Sequence, residues 1–170
     1  MKLCPNAKTV GVIYCSSEVN SEVQVKAMKG YAQTKGLKVE TATISTVNDI
    51  QQAAQSLNTK VDAFYAPTDN VLASAMPTLL SVTDPAKKPV ICGEGNMVKA
   101  GGLATYGIDY YKLGLQTGDM GADILDGKKK PADMPIQTAK DLKASINKNN
   151  AEALGVKIPD DLMKSAEIIQ

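Results

Sequence analysis

A chain of 170 residues is long enough to bury one domain core, and 44% hydrophobic with 22% charged residues is a globular composition rather than a disordered one. Lys+Arg 19 against Asp+Glu 18 leaves +1, which gives no electrostatic case for a nucleic-acid partner or an acidic membrane. There is no His and no Arg among the nineteen basic residues, which excludes an imidazole base, a His metal site and a guanidinium fork for carboxylate or phosphate.

The predicted elements alternate strand and helix. KTVGVIY (8–14) is a β-branched apolar run suited to a strand covered on both faces. SEVQVKAMKGYAQTKG (21–36) has helical spacing, with Val23, Ala27, Met28 and Tyr31 on one side and Gly36 as its end. LKVETATI (37–44) reads as a second strand, and STVNDIQQAAQSL (45–57) as a helix burying Val47, Ile50, Ala54 and Leu57. VDAFYAP (61–67) is a third strand, followed by TDNVLASAMPTLLSV (68–82), a helix capped by Thr68 or Asp69 and kinked or divided at Pro77. KPVICG (88–93) is a fourth strand, and the Gly-rich stretch 94–102 reads as a hinge or turn. A fifth strand near Leu103–Ile108 leads into a helix over 109–127. The tail holds a strand candidate, LKASIN (142–147), and short helices near 148–155 and 159–168. This order implies βαβ units and a three-layer αβα sandwich on a mostly parallel, flavodoxin-like sheet.

Cys4, Cys15 and Cys92 are widely spaced and odd in number; Cys15 and Cys92 end strands and could approach each other, with buried thiols the expected state. Lys128, Lys129 and Lys130 read as a solvated loop. No signal peptide or membrane-spanning run is recognisable, and the early entry into a core strand is what a chain beginning mid-protein would show.

Four polar clusters fall at carboxyl ends of strands: Cys15-Ser16-Ser17-Glu18-Val19-Asn20-Ser21, Pro67-Thr68-Asp69-Asn70, Gly93-Glu94-Gly95-Asn96, and Asp109-Tyr110-Tyr111. In a doubly wound sheet these ends share one edge, where ligands bind. Helix capping explains any one cluster; four together, with two carboxylates not needed as caps, point to a binding edge. A flavin or nucleotide phosphate would be repelled by Glu18, and the loop lacks the glycines that wrap an anion. Asp69 and Glu94 could pair for acid–base work or hold a hard metal, but no nucleophile–base pair, HExxH, Walker A or GxGxxG motif accompanies them. Reversible binding of a zwitterion or polyol suits the hydroxyls, amides and carboxylates better. The ligand carboxylate would meet helix N-terminal N–H groups with Ser17, Asn20 or Ser21, and its ammonium Asp69 or Glu94.

PNAKTVGVIYCSSEVNSEVQV, VDAFYAPTDNVLASA, KPVICGEGNMVKAGGLATYGIDYYKLGLQTG and KIPDDLMKSAEII together resemble the substrate-binding components of ABC importers. These are type I periplasmic binding proteins, in the branch that includes tryptophan- and tyrosine-binding lipoproteins. The resemblance implies the C-terminal half of a two-lobed protein: residues 1–100 and 131–170 as lobe core, and about 101–130 crossing to the other lobe. It also implies no catalysis, no metal and no cofactor. The parent would be periplasmic or lipid-anchored at the cell surface, take an amino acid, possibly aromatic, and serve an ABC permease. Carried over, the cleft positions are Ser16, Ser17, Glu18, Asn20, Ser21, Thr68, Asp69, Asn70, Glu94, Asp109 and Tyr110, with Asp109 equally readable as an N-cap. Half a cleft implies weak binding or none. The crossing segment would fold back on this lobe or dock on a second copy as a segment-exchanged homodimer. The alternative is a stand-alone flavodoxin-like domain, natural or engineered, binding a flavin or nucleotide.

Overall fold

A computed structural model describes residues 2–170. Seven strands form one sheet in the order β2-β1-β3-β4-β5-β6-β7. They are β1 (Thr9–Cys15), β2 (Lys38–Ile44), β3 (Ala63–Ala66), β4 (Val90–Cys92), β5 (Ala104–Ile108), β6 (Leu142–Asn147) and β7 (Glu167–Ile169). All neighbours are parallel except β5 and β6, which run antiparallel with Thr105 opposite Ser145 and Gly107 opposite Lys143. The αβα sandwich on a mostly parallel sheet is the architecture expected from the alternating pattern. β7 is an addition, its three residues too short to announce a strand.

The helices are α1 (Val19–Thr34), α2 (Ile50–Asn58), α3 (Asn70–Ser74), α4 (Met76–Thr83), α5 (Gly95–Lys99), α6 (Tyr110–Leu125), α7 (Lys148–Leu154) and α8 (Asp160–Ser165). Ile13, Cys15, Phe64, Ala66, Val90 and Cys92 project from one sheet face into a core shared with Ile50, Leu57, Leu72, Met76, Leu79 and Met97. A second cluster joins Leu103, Ala104 and Ile146 to Ala151, Ile158 and Leu162. At about 1.5–3 kcal/mol per fully buried large side chain, the first cluster is the main source of stability.

Several local expectations change. The buried side of α1 is Ser21, Val25 and Ala32, not Val23 and Tyr31, which are exposed. The apolar pattern of this helix was too weak to set its rotation. The division at Pro77 holds: Ala75 breaks the helical path between α3 and α4, and Pro77 occupies the first turn of α4, where its missing N–H costs nothing. The Gly-rich stretch after β4 is not a turn but opens as α5.

The largest departure concerns residues 109–141. α6 has sixteen residues and none is buried; Leu125 is 89% exposed and Ile136, beyond it, 99%. The segment does not fold back onto the lobe. It is braced internally by Gln116 Nε2, which donates to Gln137 Oε1 at 2.9 Å and to Thr138 O at 3.1 Å. Lys128 and Lys129 are exposed as expected, in ion pairs with Asp126 and Asp123.

Candidate ligand-binding edge

The expected site residues gather at the carboxyl edge of the sheet in two groups. At the ends of β1 and β3, the Asp69 carboxylate is 2% exposed: Oδ2 accepts from the Cys15 N–H at 2.7 Å and Oδ1 from the Leu72 N–H at 3.0 Å. Asp69 therefore caps α3 and ties it to the end of β1. Glu18 accepts from the Asn70 N–H at 3.0 Å, from Asn70 Nδ2 at 3.1 Å and from the Val71 N–H at 3.3 Å, so its charge sits on the first turn of α3.

Thr68 is fastened by its backbone. Its oxygen accepts from Asn20 Nδ2 at 2.7 Å and Ser21 Oγ at 3.2 Å, and its N–H donates to Gln24 Oε1 at 2.9 Å. Tyr65 OH donates to the same Gln24 oxygen at 3.3 Å. Gln24 was not singled out in the sequence; it lies one turn beyond Asn20 and Ser21 on the same side of α1, and that spacing was the available signal. Ser17 Oγ lies 3.2 Å from Cys15 Sγ, and Ser16 and Asn70 are exposed at the rim.

At the ends of β4 and β5, Glu94 is 6% exposed and caps α5, its oxygens accepting from the Asn96 N–H at 2.9 Å and the Met97 N–H at 2.8 Å. Asp109 caps α6 through the Lys112 N–H at 3.1 Å. Asp69 is thus the cap of its helix, one of the two candidates the sequence offered, and Glu94, not foreseen as a cap, closes the N-terminus of α5; Asp69 satisfies one orphan helix donor and Glu94 two. Burial, and then the Glu94 charge, raise the Tyr110 phenol above its ordinary value. The same two causes push the Cys92 thiol far up, so it stays protonated. Cys4, Cys15 and Cys92 are free thiols.

The two groups meet because Gly93 and Gly107 let backbones touch. A Cβ on Gly93 would run into the Thr68 amide nitrogen and the Pro67 carbonyl carbon. One on Gly107 would come within 2.9 Å of both Gly93 O and Thr105 Oγ1. Beside this seam a cleft of about 220 Å³ opens, walled by Glu94, Lys99, Thr105, Asp109, Tyr110 and Lys143, among others. The second group of expected residues lines it, and Lys99, Thr105, Lys143, Ser145 and Glu167 join them without having been foreseen. Among the described residues no cluster of three His, Cys, Asp or Glu could hold a metal. The edge offers hydrogen bonds and charges of both signs, and no nucleophile paired with a base.

Over residues 1–169 the chain matches the family described as ABC transporter substrate binding protein. A tyrosine-binding protein of Clostridioides difficile is 41% identical over 152 residues, 89% of this chain and 44% of that one. The structure of an ABC domain in complex with L-Trp from Streptococcus pneumoniae is 42% identical with a TM-score of 0.91, covering 99% of this chain and 57% of that one. The ligand-free, open structure of a substrate-binding protein with adhesive properties from Clostridium difficile is also 42% identical, with a TM-score of 0.79 over 99% of this chain and 56% of that one. The chain spans about half the length of the relatives it matches. On the match over residues 1–169, the chain belongs to the ABC transporter substrate-binding protein family.

Proposed function

We propose that this chain forms one lobe and a crossing segment of a solute-binding protein for an ABC importer, and that it holds a small amino-acid-like solute reversibly without transforming it. The observation that carries the reading is the fit to the L-Trp complex along 99% of the chain. The site is the carboxyl edge. Ser16, Ser17, Asn70 and Tyr110 face outward, while Glu18, Asn20, Ser21, Thr68, Asp69, Glu94 and Asp109 fix the loops that present them. The natural setting is extracytoplasmic, beside an ABC permease; no helix among the described residues is long and apolar enough to cross a membrane.

Residues 1–108 and 142–170 make the lobe in this reading, and α6 with its return belongs against a second lobe. The absence of buried residues on α6 supports that division. So does the pair of TM-scores: at equal identity and coverage the chain superposes better on the L-Trp complex than on the ligand-free open structure, as a change of angle between two rigid pieces would produce. A flavin or nucleotide is disfavoured because Glu18 occupies the loop that would cradle its phosphate.

A ligand touched from one side keeps much of its water, so affinity in this chain alone is expected to be weak, around millimolar. Titration with L-tryptophan, L-tyrosine and L-arabinose, followed by heat and by amide shifts, tests this. Saturable shifts at Ser16–Ser21, Thr68–Asn70 or Glu94–Asn96 with an amino acid and none with the sugar are expected. Flat titrations with both amino acids would sink the reading for this chain.

A further inference from the structure

The sheet has a second face, and part of it is bare. β1, β3 and β4 are parallel neighbours, and such strands are ordinarily covered on both sides. On the side opposite the main core, α1 packs over β1 and β2, and α7 packs against β6 and β7. Between them runs a groove of about 460 Å³. Val10, Tyr65, Ile91 and Ala144 form its floor, with Tyr31 of α1 and Leu162 of α8 at its sides. None of the residues expected at the ligand edge lines it.

Two rings border this hollow and reach solvent. Tyr106, on β5, is 72% exposed and Tyr31 is 61% exposed, with Lys35 Nζ 5.5 Å from the Tyr31 ring centroid. Few polar groups converge to orient a small molecule: Lys2 is paired with Asp161, and Tyr65 OH is spent on Gln24. A hollow beside two exposed rings on one face is self-complementary, which is what a two-fold contact requires. An axis along the strands would set α1 of one copy against α8 of the other. The charges then match. α1 and its cap carry Lys26, Lys29 and Lys35 against one Glu22, whereas α8 opens with Asp160 and Asp161 ahead of Lys164.

We infer that this groove is a self-association surface whose occupant is a second copy of this chain, the Tyr31 and Tyr106 rings of each copy filling the hollow of the other. The exposed parts of four such tyrosines come to roughly 400–650 Å² in all. The groove walls of both copies bring the total to about 1,000 Å², the lower limit for a specific interface. The dimer is therefore weak, with a dissociation constant of roughly tens of micromolar. This goes beyond the solute-binding reading and does not depend on it, since the contact uses none of the residues assigned to the ligand edge.

The experiment is sedimentation velocity of the whole chain from micromolar to near-millimolar concentration. Tyr106→Lys puts a charge into the contact, and Leu125→Lys, 89% exposed at the end of α6, puts the same charge elsewhere. Both side chains are exposed, so neither change should unfold the lobe, and circular dichroism checks this. Expected is a concentration-dependent dimer, weakened at least about tenfold by Tyr106→Lys and unchanged by Leu125→Lys. A monomer at every concentration would overturn the inference. So would a dimer indifferent to Tyr106→Lys, and its loss in Leu125→Lys would move the interface to α6. A chain that stays monomeric while its groove takes up anilinonaphthalene sulfonate, with Tyr106→Lys abolishing the uptake, would put a small apolar molecule there in place of the second copy.

Discussion

Leu72, on α3, is wholly buried in the core beneath the sheet, whereas Leu125, at the end of α6, is 89% exposed. The two helices also start alike, each with an Asp whose side chain accepts from the N–H three residues on. What differs is the company: Asp69 also holds the Cys15 N–H and closes the β1–β3 edge, while Asp109 serves only its own helix. Helix formation and tertiary burial are thus separable in this chain. α6 has the first without the second, although isolated helices of its length are marginal in water.

The strongest way to break this contrast is to truncate both leucines. Leu72→Ala should cost about 3 kcal/mol in urea unfolding, through lost transfer energy and a residual cavity. Leu125→Ala should stay within about 0.5 kcal/mol. Equal losses would mean that α6 is packed in solution. A finer version compares the caps. Asp69→Ala should cost about 2 kcal/mol of global stability, since it strands the Cys15 N–H as well as uncapping α3. Asp109→Ala should lower helical circular dichroism while moving the urea midpoint little.

The smallest effect sharpens the contrast through pH. The Cys92 thiol is raised by burial and then by Glu94, from an ordinary value near 9, and the Tyr65 phenol by burial from near 10. A raised folded pKa means that the unfolded chain loses its proton first. The contribution is whole below about pH 9 and declines as pH climbs from there toward the folded values, by at most about 1.4 kcal/mol per unit for one group. Cys92→Ala should flatten the alkaline decline between pH 9 and 10 measured by urea unfolding, and a slope unchanged in that variant would place the loss elsewhere.

Much of the sheet was legible because strands covered on both faces must be apolar throughout: TVGVIYC, AFYA and VIC admit few other readings. α5 was hidden because glycines at 93, 95, 101 and 102 mask a five-residue helix whose capping Glu94 was read as ligand chemistry. The candidate edge was legible as a place but not as a wiring. Hydroxyls, amides and carboxylates at strand ends look alike in sequence whether they face ligand or backbone, and the Asp69–Cys15 contact spans 54 residues. Thr105, Lys143 and Ser145 escaped notice for a different reason: they lie within strands, and only the antiparallel register of β5 with β6 puts them on one wall.

That register also says something about the chain as a thread. β5 leaves the sheet and β6 re-enters it side by side, and at the doorway the Asp109 N–H points at Asp141 O, 3.5 Å away. Residues 110–140 are therefore an excursion with adjacent ends, topologically an insertion into a β-hairpin. A two-residue turn could bridge the same gap, and removing the excursion would cost the sheet no rung of its ladder. Evolution or an engineer could lengthen, exchange or replace that passage while the sheet goes on closing around the same seam.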